Sequence, residues 1–166
     1  QLVLCGWSIG AAISMASVTG LGSRCIGLLS SCGATPRFTA RDDMPGAAPG
    51  SAAAMVMQLR ADRFNFLAWM AENSVARDVG APALERMRST FALNAPSADA
   101  ALLDLDELDQ RAILRNLPVP FLAIAGAKDI LVDPSIQRAA ADLAPLGSLE
   151  WFAECGHTPH VEEPAR

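Results

Sequence analysis

The sequence predicts an α/β fold with a mostly parallel sheet and a block of helices inserted between two of its strands. Four short, mostly apolar runs, at 2–5, 25–30, 120–125 and 149–153, have the length of strands, and helical patterns lie between them. Residues 34–117 contain no such run and read as several short helices broken at prolines. Alternating strands and helices favour parallel pairing, because each helical connection carries the chain back across the sheet.

The first predicted strand and the first predicted helix enclose a G-x-S-x-G motif. Residues 6–10 read G-W-S-I-G, directly after the run 2–5, and apolar residues recur at helical spacing from Ile9 to about Val18. In such a strand-turn-helix the serine is held in a strained conformation that exposes its hydroxyl at the edge of the sheet. The flanking glycines are expected to let strand and helix pack closely. The motif therefore predicts a nucleophile elbow rather than a structural serine.

The inserted helices are predicted to form a cap over the carboxyl ends of the strands. We define the cap as residues 34–117, between the core segments 1–33 and 118–166. Insertions at this edge of a sheet often line the binding pocket, because function concentrates on loops held by a rigid scaffold. A helical subdomain without a role in substrate binding is the alternative.

A serine, an aspartate and a histidine are each placed just beyond a predicted strand. Ser8 lies in the elbow, Asp129 follows the run 120–125, and His157 follows the run 149–153. Because the carboxyl ends of parallel strands meet at one edge, these side chains are expected to come together. We predict a catalytic triad with Ser8 as nucleophile, His157 as general base and then general acid, and Asp129 as the orienting acid.

Neighbouring residues compete for two of these roles. Asp133 precedes Pro134, and this order favours the N-cap of a helix with proline at its first position. His160 lies past Pro159 and is expected to be exposed or to line a pocket. The backbone N–H of Ile9, next to the serine, is the expected oxyanion donor, and the second donor is expected to lie outside this chain.

Composition argues against several classes of protein. The chain has 166 residues, is 51% hydrophobic and carries a net charge of −5, which suits one domain with a large core. The basic residues are scattered and no apolar run reaches membrane length, so we expect neither nucleic-acid nor membrane binding. No signal peptide is visible. Residue 1 opens in mid-strand, so earlier strands and any targeting segment are expected to lie outside this sequence.

The cysteines and histidines do not indicate a metal site or a cofactor. Cys155, His157 and His160 lack a fourth ligand at zinc-finger spacing. None of the cysteines has C-x-x-C spacing, and most lie in or beside predicted core strands, where free cysteine behaves as a small hydrophobe. The four are Cys5, Cys25, Cys32 and Cys155. We expect no metal, no cofactor and a reduced, cytoplasmic setting.

Four segments together resemble a known family. The elbow 6–10, F-T-A-R-D-D-M-P-G at 38–46, G-x-x-D-x-L-V at 126–132 and G-H-x-P at 156–159 are similar to the pimeloyl-[acyl-carrier-protein] methyl ester esterases of biotin synthesis. The elbow, aspartate and histidine motifs are shared by many α/β-hydrolases, whereas the segment 38–46 is much narrower. The resemblance implies an α/β-hydrolase fold whose first strands are missing here. It also implies a serine carboxylesterase that demethylates pimeloyl-acyl-carrier protein.

The resemblance also directs attention to residues that would contact the substrate. Trp7, Phe38 and Met44 are candidate walls of the pocket, with packing in the core as the alternative. Arg41 and Arg63 are candidates for contact with an acidic carrier protein, together with Arg37 and Arg60. The alternative for the arginines is solvation or local pairing with nearby acids. These acids are Asp42, Asp43 and Asp62.

One helix of the cap departs from the family pattern and leaves other functions open. The predicted helix 64–73 carries Phe66, Trp69 and Met70 where the family would place arginines. An α/β-hydrolase acting on another small ester or on a carbon–carbon bond is therefore a second hypothesis, since one fold hosts many substrates. A non-catalytic binding protein of the same fold is a third, against which the intact serine, aspartate and histidine argue.

Overall fold

The computed structural model describes residues 1–166 and contains one sheet of four parallel strands, which pair in the order in which they follow one another along the chain. The fold class predicted from the sequence is confirmed. The strands are β1 Leu2–Trp7, β2 Cys25–Ser31, β3 Phe121–Gly126 and β4 Gly147–Phe152. The α-helices are α1 Ile9–Leu21, α2 Ser51–Ala61, α3 Arg63–Asn73, α4 Ala81–Ala92, α5 Asp99–Leu103, α6 Arg111–Arg115, α7 Ser135–Leu143 and α8 Pro159–Glu162.

The predicted elements match the observed ones in type, with small differences at their ends. Helix α1 continues past the predicted end near Val18 and stops at Leu21, where Gly22 takes φ +51°. Strand β4 begins at Gly147, two residues before the predicted start. Both differences arise because helix and strand ends are determined by local hydrogen bonds that apolar periodicity does not report.

Between β2 and β3 the chain forms the five helices α2 to α6 and adds no strand to the sheet. Two isolated bridges, Thr39 to Ala47 and Arg41 to Met44, shape the turn that leads into the first of these helices. The helical character expected for residues 34–117 is therefore present. The division into core and cap at residues 33 and 117 stays a prediction.

The main core lies between one face of the sheet and the helices α1, α6 and α7. In β3, Phe121, Ala123 and Ala125 are buried against these helices. Leu122 and Ile124 point to the opposite face and are only half-buried. This strand is therefore buried on one face only, because α1, α6 and α7 all pack on that face of the sheet. A second, smaller core cluster lies beneath α2 and includes Phe38, Ala52 and Val132.

Gly6 allows the first strand and helix to approach each other closely. A Cβ at this position would lie 2.4 Å from both the Cα of Ala11 and the carbonyl oxygen of Gly10. A Cβ at Gly10 would meet no atom within 4 Å. The expectation that both flanking glycines serve close packing therefore holds for Gly6 and was wrong for Gly10.

This difference predicts opposite effects of two matched substitutions in the full-length protein. Gly6→Ala should lower the free energy of unfolding by about 3 kcal/mol or more, because the new methyl group overlaps backbone that cannot move aside. Gly10→Ala should leave it unchanged or raise it by up to about 1 kcal/mol, because alanine is the better helix former. Urea denaturation measures both values, and equal effects of the two substitutions would contradict the prediction.

Candidate active site

Ser8 occupies a strained turn between β1 and α1. Its backbone has φ 54° and ψ −126°, a conformation that costs a non-glycine residue about 1–3 kcal/mol. Its N–H donates to Ser31 O at 3.0 Å, and its carbonyl oxygen accepts from the N–H groups of Ala11 and Ala34, both at 3.1 Å. The surrounding backbone thus holds the serine at the carboxyl end of the sheet, as the mechanics of a nucleophile elbow require.

A short hydrogen bond joins Asp129 and His157 at the same edge of the sheet. The distance between His157 Nδ1 and Asp129 Oδ2 is 2.7 Å, and both side chains are almost completely buried. The other carboxylate oxygen, Oδ1, accepts from the N–H groups of Leu131 and Val132 at 2.9 and 3.0 Å. Because a carboxylate can only accept here, the imidazole carries its proton on Nδ1, and Nε2 is left free to accept one.

Trp7 contacts both the backbone and the ring of His157. Its indole Nε1 donates to the carbonyl oxygen of His157 at 2.7 Å, and the two ring centroids are 5.1 Å apart. The indole also packs edge-on against Phe91 and His160. Of the two placements expected for Trp7, wall of the pocket or packing, the structure shows packing: the indole lies against the histidine and does not line the cavity that Ser8 lines.

Ser8, Ile9 and His157 line one cavity of about 340 Å³. The walls are mostly apolar, and no arginine, lysine, aspartate or glutamate lines them. Ile9 is the first residue of α1, and the N–H groups of a first helical turn have no partner within the helix, so they are suited to hold an anion. The cap contributes much of the wall, including Phe38, Met55, Phe66, Trp69, Met70 and Leu102.

The structure brings the three predicted triad residues to one place, and one of their two expected hydrogen bonds is formed. Asp129 and His157 are hydrogen-bonded, and His157 shares the cavity with Ser8, but no hydrogen bond joins the Ser8 hydroxyl to the imidazole. Such contacts are often long in a protein without substrate and shorten when substrate binds. The arrangement is suited to nucleophilic attack by a serine that a histidine deprotonates.

The two other apolar candidates differ in their placement. Phe38 is 3% exposed and lines the Ser8 cavity, as predicted for a pocket wall. Met44 is also buried but does not line the cavity. It closes the turn at residues 41–44 by a pair of backbone hydrogen bonds with Arg41.

The candidate arginines form ion pairs outside the Ser8 cavity. Arg63 lies 2.9 Å from the buried carboxylate of Asp99, and Arg41 lies 3.6 Å from Glu107 with half of its side chain exposed. Arg37 is 1% exposed, so it cannot contact a carrier protein. Local pairing was one expectation, but the expected partners were wrong. Asp62 instead caps α3, and Asp42 and Asp43 contact Arg111.

Cys32 is a neighbour of the histidine and aspartate that the sequence did not single out. Ligand atoms of Cys32, Asp129 and His157 lie within 4.8 Å of one another. Burial, together with the charge of Asp129, strongly raises the pKa of the Cys32 thiol, so the sulfur stays protonated and is a weak metal ligand. Sequence reasoning considered Cys155 and His160 instead, and the structure groups neither with this cluster. The position of Cys32 directly after β2 could have indicated that it lies at the same edge of the sheet as Asp129 and His157.

Comparison with known proteins agrees with this geometry. The model of the alpha/beta hydrolase family matches residues 1–166. The chain belongs to the alpha/beta hydrolase family. A pimeloyl-[acyl-carrier protein] methyl ester esterase of Klebsiella pneumoniae is 34% identical, over 99% of this chain and 66% of that protein. One of Stenotrophomonas maltophilia is 31% identical, over 98% of this chain and 66% of that protein.

These relatives confirm the resemblance that the sequence motifs indicated. The chain spans 66% of the length of these curated relatives. Two solved hydrolase-fold structures support the fold alone, because they share little sequence with this chain. An esterase from Exiguobacterium antarcticum has a TM-score of 0.88 at 24% identity, covering 97% of this chain and 61% of its own. A bromoperoxidase from Bacillus anthracis has a TM-score of 0.86 at 17% identity, covering 98% and 63%.

None of the helices is both long enough and apolar enough to cross a bilayer. The longest, α1, has 13 residues.

The two aspartates of the loop after β3 are predicted to have separable roles in the full-length protein. Asp129→Asn should lower ester turnover by about 10⁴, because the amide favours the wrong tautomer of His157. Its carbonyl oxygen can still accept from Leu131 and Val132, so the fold should be nearly unchanged. Turnover and thermal unfolding measure the two effects.

Asp133 provides the control for this experiment. Its carboxylate accepts from the N–H of Ser135, the first residue of α7, at 2.9 Å, so it serves the start of the helix as predicted, although Pro134 and not Asp133 occupies the N-cap position. Asp133→Ala should cost about 1 kcal/mol of stability and leave turnover unchanged. The reverse pattern, with turnover lost in Asp133→Ala and kept in Asp129→Asn, would reassign the acid.

Proposed function

We propose that the protein is a carboxylic ester hydrolase that uses Ser8, His157 and Asp129 as its catalytic triad. One observation carries the proposal. A serine in a strained turn shares a cavity with a histidine whose Nδ1 is 2.7 Å from a buried carboxylate. Chain order and backbone context match those of α/β-hydrolases, and the curated relatives named above are esterases by name.

The chemistry follows from the placement of these groups. His157 Nε2 takes the Ser8 proton as the oxygen attacks the ester carbonyl, and the N–H of Ile9 stabilises the oxygen that becomes negative. The imidazolium then protonates the leaving alcohol, and an acyl-serine remains. Water attacks this ester with His157 again as base, the imidazolium returns the proton to the Ser8 oxygen as the acyl bond breaks, and the free acid leaves. Throughout, Asp129 stabilises the imidazolium and keeps its orientation.

For the substrate, we propose the methyl ester of a pimeloyl group carried on acyl-carrier protein, with methanol as the alcohol released. The names of the curated relatives support this choice. The cavity supports it as well, because its walls are apolar and uncharged and suit an aliphatic acyl chain. A role in biotin synthesis follows from the same substrate.

A second candidate is an α/β-hydrolase acting on another small ester or on a carbon–carbon bond. The observation that favours it lies in the cap. Phe66, Trp69 and Met70 of α3 face the cavity, and Arg63 on the same helix is held by Asp99. Positive charge available to an acidic carrier is therefore limited. A non-catalytic binding protein is the third candidate, and the intact triad argues against it.

The role of Ser8 can be tested directly in the full-length protein. Ser8→Ala should lower hydrolysis of a small ester by about four orders of magnitude or more and abolish labelling by a fluorophosphonate probe. Ser51 lines the same cavity, so Ser51→Ala is a matched control that should keep both labelling and turnover. Normal hydrolysis by Ser8→Ala would refute the proposed mechanism.

A test of carrier recognition requires the substitution of a different pair of arginines from Arg41 and Arg63. Arg63 is unsuitable, because its loss would leave the buried carboxylate of Asp99 only the longer contact with Arg60, whose Nε is 3.4 Å away. Arg41 and Arg60 are 53% and 60% exposed. Their joint replacement by alanine should slow hydrolysis of the carrier-bound ester about tenfold and reduce its salt dependence, while a small free ester is unaffected.

Arg24 provides the control for carrier recognition. It is exposed and lies between α1 and β2, outside the cap. Arg24→Ala removes one positive charge and should leave the carrier-bound and free esters hydrolysed as in the wild type. Equal slowing of both esters by the Arg41 and Arg60 substitutions would mean that these arginines shape the fold or the pocket, and it would contradict the carrier assignment.

A further inference from the structure

Glu162 is a buried carboxylate close to the histidine and without a role in the mechanism above. It is the last residue of α8 and is 8% exposed. Its Oε1 accepts from the backbone N–H of Gly156 at 2.8 Å, and its Oε2 accepts from the backbone N–H of Ala76 at 2.8 Å. One carboxylate therefore binds the residue directly before His157 and a residue of the cap.

The two segments that Glu162 joins also contact each other directly. Thr158, the residue after His157, donates through its Oγ1 to the carbonyl oxygen of Ser74 at 3.0 Å. A Cβ at Gly156 would lie only 3.0 Å from the nitrogen of Ala76, so the two backbones are already in close contact. The loop 74–80 between α3 and α4 is thus attached to the chain on both sides of the histidine.

No cation compensates the charge of Glu162. The nearby arginines Arg77 and Arg166 pair instead with the neighbouring residue Glu163, which is half-buried. An ionised carboxylate that is buried without a cation depends on its hydrogen bonds, because water cannot replace them. Its two N–H donors are therefore held in one geometry, since any displacement would leave a buried charge unsatisfied.

We propose that Glu162 is a positioning residue for His157. By fixing the N–H of Gly156, it sets where the imidazole lies relative to Ser8, and by fixing the N–H of Ala76 it makes that position depend on the cap. A displacement of about 1 Å between reacting groups can lower a rate by about 100-fold, so loss of this link reduces turnover without removing a reacting group. The kinetic consequence rests on the proposed role of His157.

The test compares Glu162→Gln with Glu163→Gln in the full-length protein. Both remove one negative charge from adjacent residues, but only the first leaves an amide NH₂ facing a backbone N–H. Glu162→Gln should lower kcat for a small ester by about 10- to 100-fold with KM within about twofold of the wild type. The carboxylate of Glu163 makes partly exposed ion pairs, which contribute little. Glu163→Gln should therefore keep kcat and KM within about twofold of the wild type.

A readout that does not depend on catalysis separates this proposal from the proposed function. The Nδ1 proton of His157, hydrogen-bonded to Asp129, should give a downfield proton resonance. Glu162→Gln should shift or broaden this resonance, and Glu163→Gln should leave it as in the wild type. A wild-type protein that hydrolyses no ester would refute the proposed function, whereas the resonance would still test the position of the imidazole.

The outcomes that overturn the positioning role are distinct. An unchanged resonance in Glu162→Gln refutes it, whether kcat is normal or reduced. An unchanged resonance with reduced thermal stability would show that the carboxylate serves the fold alone. Equal changes in Glu162→Gln and Glu163→Gln would also refute it, since the effect would then come from charge and not from the two backbone contacts.

Discussion

The carboxyl ends of four parallel strands meet at one edge of the sheet, and the candidate site is built from the residues that leave those strands. Trp7 lies opposite Ser31, Ser31 lies opposite Ile124, and Gly126 lies opposite Phe152. Ser8, Asp129 and His157 therefore come together although they are far apart in the chain. The crossing of the histidine segment over the end of β3 depends on Gly126, where a Cβ would overlap the carbonyl oxygen of Gly156. No other residue type fits at that position without moving backbone.

Several contacts around this edge hold Ser8, Asp129 and His157 in place. Backbone hydrogen bonds hold the strained Ser8, and Asp129 uses one oxygen for His157 and the other for its own loop. The histidine backbone is bound by Trp7 on one side, and Glu162 binds the preceding residue. Because the side chains of Asp129 and His157 are almost completely buried, their hydrogen bond acts in a medium of low dielectric constant and is stronger than it would be in water.

Several arginines of this chain stabilise the fold by pairing with acids and are not available at the surface. Arg37 is completely buried beside Asp109, and hydrogen bonds from Arg111 hold the pKa of Asp109 well below its usual range. These pairs fix the start of the cap, where Phe38 enters the wall of the Ser8 cavity. Few arginines of the cap are thus left for a partner, and recognition of an acidic carrier would depend on a small number of exposed side chains.

The sequence alone was enough to predict the parallel sheet, the elbow and the aspartate that reaches the histidine. These features have local signals: apolar runs of strand length, glycines around a serine, and a proline after Asp133 that indicates a helix cap rather than an acid. Met44 and Trp7 lacked such a signal. An apolar side chain next to a motif can line the pocket or pack elsewhere, and only its contacts with distant residues decide between the two.

Tertiary structure alone distinguished Glu162 from Glu163 and the exposed arginines from the buried one. In the sequence the two glutamates are adjacent residues of one type near a proline, with no pattern that separates them. One is buried among backbone N–H groups of two loops, and the other pairs with arginines at the surface. The physical reason is that burial and partner choice depend on which segments lie against each other in space, whereas hydrophobic periodicity and turn chemistry report only on neighbours along the chain.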